Sequence, residues 1–583
     1  MRSFIKFFFA ALAALIFFVV IAVLFFGAIL GGLFSTKQPE IGAKAVLVLD
    51  LSESYNEQMQ ENPLRNLGED EYNKPGIYDL TRIIAYAVRD SSIKGIYIKC
   101  GSNANGFGTS QELRDDLLNF KKSGKFIYAY GEVIPQKAYF IANVADKIYC
   151  NPKGGVDWKG FSLEEFFLKG TLDKLEIRPQ IFYAGKFKSA TEPFREEKMT
   201  DANRVQLTEL LSTLHNMLLY QTAVSRDLDT AVLRKCVNEH IIQFASDALR
   251  FKLVDGLKYD DEVRDELKTK LSIDRSHEVN FVSINRYAAS VNFKKYGRSK
   301  IALIYAQGDI VDGNGDHNQI GSETYERLIR NARLDNDVKA IVIRINSGGG
   351  SALASENIWR EISITKKEKP VVVSFGDVAA SGGYYLSCNA DSIFAQPSTI
   401  TGSIGVFTIL PDLQLFFKNK LGVTFDVVKT APDADELSNV KPLTDMQKMY
   451  LQNSVDTIYR DFKRRVADGR KMSMDFVDSI GQGRIWTGLS ALRLGLVDRL
   501  GGLQDAINCA ARMAGSGDYS IREFPEPESL FERIFGNVRK NMTQNAMKNE
   551  LGTEGYDVFT AAKKVKALLG VPQARIPFEF SIE

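Results

Sequence analysis

The chain has 583 residues, 45% of them hydrophobic and 25% charged, with a formal net charge of +2. That length allows two or three domains, and the balanced charge gives no electrostatic footprint for nucleic acid. Four scattered histidines (His215, His240, His277, His317) and five cysteines without a C-x-x-C pair give no zinc pattern, and no cofactor or metal is expected.

The first element is Phe7 through Phe34, 28 residues without a charge, preceded by Arg2 and Lys6. As a helix this run is long enough to span a hydrocarbon core of about 30 Å. It exceeds the roughly 7–15 apolar residues of a cleaved signal and lacks a small-x-small cleavage site. A retained single-pass anchor within residues 1–40, in contact with the bilayer through residues 7–34, is therefore expected. Lys37 and Lys44 on the far side leave its orientation open by charge counting.

Beyond the anchor the chain is duplicated. Ile93–Ile98 resembles Val338–Ile343 in pattern, and Tyr130–Pro152 resembles Phe375–Pro397, both at an offset of 245. Ala248–Asp255 matches Ala491–Asp498 at an offset of 243. A period this long indicates two copies of a domain rather than a solenoid. Strands are predicted at Ala45–Leu51, Ile93–Ile98 and Lys125–Tyr130, and again at Ile301–Ala306, Ala340–Ile345 and Val371–Phe375. Helical spacing covers Gln111–Ser123 and Ser355–Lys367. Alternation of this kind means an α/β fold with largely buried strands. The expected division is 41–285 and 286–515, with a peripheral tail at 516–583 that includes the Lys/Arg/Asn-rich Arg539–Lys548.

The two halves have kept different chemistry. In the first, the small and basic loop Tyr183–Phe194 carries Lys188, flanked by Phe187, Ala190 and Phe194; the second half has Asp433 or Ala434 at that place. In the second, Ala380–Ser381–Gly382–Gly383 stands between a strand and a helix, where the first half has Gln136. Taken alone, Ser381 reads as an N-cap before a packed helix and Lys188 as a solvated loop lysine. Together they form a candidate nucleophile and a candidate base, because a buried lysine can lose its proton near neutral pH. A third element, Asn346–Ser347–Gly348–Gly349–Gly350–Ser351, follows a strand, and its glycines permit a turn with uncovered N–H groups. It lacks the spacing of a phosphate loop.

These stretches, above all Asp377–Tyr385 and Lys188–Phe194, resemble the signal peptide peptidase A (protease IV) family in its long, duplicated form, and the likeness runs from the anchor to about residue 515. The resemblance implies Clp protease/crotonase-like domains of stacked β-β-α units, with Ser381 as the acylated nucleophile and Lys188 as its general base. It assigns Ser403, within Thr401–Gly405, to support the lysine, and the N–H groups of Gly382 and Gly349 (or the neighbouring Gly350) to an oxyanion hole. Gly348 departs from the proline usual in the family and leaves that turn less fixed. The implied substrates are cleaved signal peptides and other unfolded apolar peptides. The implied setting is a homo-oligomer, a tetramer, on the periplasmic side of a bacterial inner membrane. Against this stand a crotonase-like acyl-thioester enzyme, since fold does not fix function, and a catalytically silent membrane scaffold.

Overall fold

The computed structural model describes residues 8, 12–21, 39–62, 72–316, 318–435, 438–526, 552 and 571–576. Within the expected anchor, Phe8 and residues 12–21 are helical and exposed, and the rest of 7–34 lies outside the described residues. Among the described residues no helix is long and apolar enough to cross a membrane. His317 and Arg539–Lys548 also lie outside them.

The first half is a parallel sheet of β1 (Ala45–Asp50), β2 (Ile93–Lys99), β3 (Phe126–Ile134), β4 (Lys147–Val156), β6 (Gly256–Leu257) and β7 (Phe281–Ser283). Its order is β6-β4-β3-β2-β1-β7. The second half repeats it with β8 (Ser299–Gln307), β11 (Val338–Ser347), β13 (Val371–Ala380), β14 (Ser392–Ala395), β18 (Arg499–Leu500) and β19 (Tyr519–Phe524). These run β18-β14-β13-β11-β8-β19, again all parallel. Both faces are covered by helices, so the strands are near-continuous apolar runs such as Ala45–Leu49 and Val371–Val373.

Two boundaries differ from expectation. The strand at Val371 runs through Gly376–Asp377 to Ala380, because its second part finds a new partner in β15 (Ile400–Gly402). That strand is paired on its other side with β17 (Ile485–Thr487). The second domain extends past 515: β19 fills the same edge beside β8 that β7 fills beside β1. A parallel sheet left open there would expose the apolar edge strand.

A third, mixed sheet joins the halves. It comprises β5 (Arg178–Ala184), β9 (Asp309–Val311), β10 (Gln319–Gly321), β12 (Gly349–Ser351), β16 (Val406–Asp412) and β20 (Gln573–Arg575), in the order β10-β9-β12-β20-β16-β5. Of these strands only β5 comes from the first half, and it pairs antiparallel with β16 along seven residues, from Val406 opposite Ala184 to Asp412 opposite Arg178. A buried ion pair also crosses between the halves. Arg344, fully buried, donates through Nε to Glu57 at 2.7 Å, and its Nη1 lies 2.7 Å from Glu112 Oε1. Asp377 accepts from the Thr109 amide at 2.8 Å and from its hydroxyl at 2.9 Å.

Candidate active site

β5 and β16 end side by side, and the chain beyond each supplies one side of the site. After Ala184, Gly185 turns with φ +104°, and Lys188 follows in a tight loop closed by its amide on the Gly185 carbonyl at 3.0 Å. Glu192 anchors the far end of that loop, accepting from the Thr200 hydroxyl at 2.6 Å at the start of helix Asp201–Arg226. On the other side, β13 ends at Ala380, and Ser381 follows with φ +55°, ψ −112° before helix Gly382–Ser387. A side chain held there is strained by about 1–3 kcal/mol. Its amide donates to the Gly402 carbonyl at 2.8 Å, which ties the turn to the Thr401–Gly405 segment.

Lys188 Nζ lies 2.8 Å from Ser381 Oγ. It also lies 3.1 Å from Ser403 Oγ and 3.3 Å from the Ser403 carbonyl. All three residues are buried: Lys188 and Ser403 are 1% exposed and Ser381 is 0%. Burial pulls the Lys188 amine well below its ordinary range, with no charged group contributing to the shift. An isolated ammonium in such a place loses its hydration without a counter-charge, so the neutral amine is favoured. A neutral amine hydrogen-bonded to a hydroxyl can accept that hydroxyl's proton.

The glycine loop is more engaged than its composition suggests. The Gly349 amide donates to Ser347 Oγ at 3.1 Å, and Gly350 stands opposite Ala574 of β20. A side chain on Gly349, at φ +101°, would run into the Ala574 carbonyl, and its Cβ would also stand 2.8 Å from the Gly382 amide nitrogen. The Ala574 carbonyl oxygen is therefore close to both Gly349 and the N-terminal end of the Gly382 helix.

β20 thus occupies the cleft as an extended peptide, antiparallel to β12 on one side and to β16 on the other. Arg575 pairs with Asp309 at 2.8 Å. Ile576 packs in an apolar cluster with Phe107 and Leu214 of the first half and Ile400 of the second. The same residues line a cleft of about 350 Å³ between the halves.

Sequence reasoning missed β20, which carries no motif, and two residues that brace the lysine. Gly483, at φ +78°, lets the chain pass the Lys188 backbone, where a Cβ would stand 2.6 Å from the Lys188 nitrogen. Gln206 holds the loop by donating to the Phe187 carbonyl at 3.1 Å. The pair Gly481 and Gly483 marks a turn in the sequence, but nothing local says what the turn touches. All five cysteines are buried and free.

A buried serine in contact with a buried lysine, set in a duplicated α/β fold, is an arrangement suited to hydrolysis, and the relatives make the class specific. The chain matches the model of peptidase family S49 over residues 119–274 and 363–516, once in each half. It belongs to that family and is a serine protease. It is 33% identical over 513 residues to "Protease 4" of Salmonella typhi, covering 85% of this chain and 82% of that protein. It is 32% identical over 504 residues to "Protease 4" of Haemophilus influenzae, covering 82% and 81%. The chloroplastic serine protease SPPA of Arabidopsis thaliana is 33% identical over 442 residues, covering 73% of this chain and 64% of that one.

Proposed function

We propose that the chain is a membrane-anchored Ser/Lys endopeptidase that degrades cleaved signal peptides and other unfolded apolar peptides through an acyl-enzyme. The observation that carries this reading is the 2.8 Å contact between Lys188 Nζ and Ser381 Oγ in a site without a counter-charge. Ser381 Oγ attacks the substrate carbonyl while neutral Lys188 takes the hydroxyl proton, and Ser403 keeps the amine aimed. The lysine then passes that proton to the departing amine, and a water deprotonated the same way releases the acyl group. The Gly382 amide and a glycine of the 348–350 turn receive the oxyanion. Gly349 serves only after releasing Ser347 Oγ; Gly350 is the neighbouring donor.

The substrate class is supported by β20, a peptide of this chain lying where an extended substrate would add a strand between β12 and β16. The apolar run within residues 7–34 supports an inner-membrane anchor, with the domains on the periplasmic side as in the family the sequence resembles. The same resemblance supports Clp protease/crotonase-like units and a homo-oligomer, a tetramer. The test is hydrolysis of an unfolded apolar peptide by the detergent-solubilised chain. Loss of cleavage in both Ser381→Ala and Lys188→Ala, with folding unchanged, is expected. Unchanged cleavage in either variant refutes the dyad.

A further inference from the structure

The strand seated in the cleft is held by different halves along its length. Gln573 and Ala574 are buried between β12 and β16 of the second half. The Ala574 carbonyl oxygen reaches the place of the oxyanion: a Cβ built on Gly382 would stand 3.0 Å from it, and one on Gly349 2.0 Å. That puts the Ala574–Arg575 bond in the scissile position. Arg575 and Ile576 then mark where the first two residues of a leaving peptide run.

Successive side chains of a strand point to opposite faces, and here each of the two meets a different partner. Arg575 turns to Asp309 of β9 and pairs with both its oxygens, Nη1 with Oδ2 at 3.0 Å and Nη2 with Oδ1 at 2.8 Å. A double contact of this kind selects a guanidinium by geometry as well as by charge. Ile576 points the other way. Its amide donates to the Gly348 carbonyl at 2.9 Å, and its side chain packs with Phe107, Leu214 and Ile400, which also bound the cleft between the halves.

The duplication shows where that pocket comes from. Phe107 opens helix Phe107–Lys121 and at the offset of 245 corresponds to Ala352, which opens helix Ala352–Thr365 directly after the glycine turn. The half without the nucleophile presents the same helix start, with a phenylalanine in place of an alanine, to the cleft of the other half. We propose that Asp309 and the pocket of Phe107, Leu214 and Ile400 form a leaving-side specificity site. It selects peptides with arginine, and less well lysine, immediately after the scissile bond and an aliphatic residue next. This rests on the Ser381–Lys188 reading for the position of the bond, and it gives the first half a part in choosing the substrate.

The test uses the full detergent-solubilised chain and internally quenched peptides competing in one tube. All carry Pro-Gln-Ala before the bond, followed by Arg-Ile, Glu-Ile, Arg-Gly or Arg-Phe. Competition reads the ratio of kcat/KM values, which occupancy of the cleft by β20 does not alter. The Arg-Ile peptide is expected to be cut between Ala and Arg, as read from the product masses. Arg-Gly is expected to be slower by about 10–100-fold, because a buried aliphatic side chain is lost, and Glu-Ile by about tenfold, because it faces a like charge. Asp309→Lys, at a half-exposed position, is expected to reverse the order of Arg-Ile and Glu-Ile. Phe107→Ala, which widens the pocket, is expected to raise Arg-Phe relative to Arg-Ile; the other comparisons decide the matter if that variant does not fold. Equal rates for Arg-Ile, Glu-Ile and Arg-Gly, or a ratio that the matching folded variant leaves unmoved, overturn the specificity site and leave the protease reading standing. So does failure to cut any of the four while another unfolded apolar peptide is cut. If no peptide is cut, or if cutting survives Ser381→Ala, the protease reading falls and this site with it.

Discussion

The strongest consequence of the site concerns the proton on Lys188. If the neutral amine is the base, acylation of Ser381 falls tenfold for each pH unit below the lysine's lowered pKa and levels off above it. Replacing Lys188 by Ala removes the base and is expected to slow acylation by about 10²–10⁴-fold, roughly 3–5 kcal/mol of barrier at 1.36 kcal/mol per decade. Stability provides a second readout of the same group. Its folded pKa lies below the unfolded value of 10.5, so between those two pKa values the unfolded chain holds a proton that the folded chain does not. In that window wild-type stability rises with pH, by at most about 1.4 kcal/mol per unit, and below the lowered pKa the penalty of burying the charge is felt in full. Lys188→Met keeps the volume without the charge and is expected to flatten that dependence and to be more stable than wild type at low pH. The assays are the pH dependence of labelling by a serine-reactive phosphonate and denaturant unfolding of both chains across the same range. A labelling rate that does not fall on acidification at any pH where the chain stays folded, or parallel stability curves for wild type and Lys188→Met, refutes the argument.

Three further outcomes are expected from the surroundings of the dyad. Ser403→Ala removes one hydrogen bond worth about 0.5–1.5 kcal/mol and is expected to lower acylation by about threefold to tenfold; Ser403→Thr, which restores a hydroxyl, should recover part of it. Deleting residues 571–583 empties the strand position between β12 and β16 and is expected to raise the initial rate of peptide cleavage at low substrate concentration; an unchanged rate would mean that β20 leaves freely in solution. Arg344→Leu leaves Glu57 and Glu112 buried without their cation and is expected to destabilise the chain by about 3–5 kcal/mol in chemical denaturation. Burial beside Glu57 already pushes Glu112 up to about 7 despite Arg344.

Residue patterns along the chain were enough for several conclusions. The offset of 245 announced two copies, and the β-branched runs gave the central strands, because a strand covered on both faces must be apolar at nearly every position. The unequal decay of the two copies singled out Lys188 and Ser381. Their neighbours said little by themselves, since a serine before a helix and a lysine in a loop are ordinary. The contact between them, 193 positions apart in sequence, was decided by tertiary structure: β5 crosses to β16, and only that pairing delivers both loops to one place. The depressed amine is likewise a property of the closed site, because desolvation depends on what the fold stacks over Lys188, and Gly483 comes from a turn distant in sequence. β19 and β20 were invisible for a related reason. Each is a short edge or inserted strand whose stability comes from partners already in place, with no periodic signal of its own. Local sequence fixes which segments must be buried and where the chain can turn; which buried groups meet is set by long-range pairing that no window of the sequence contains.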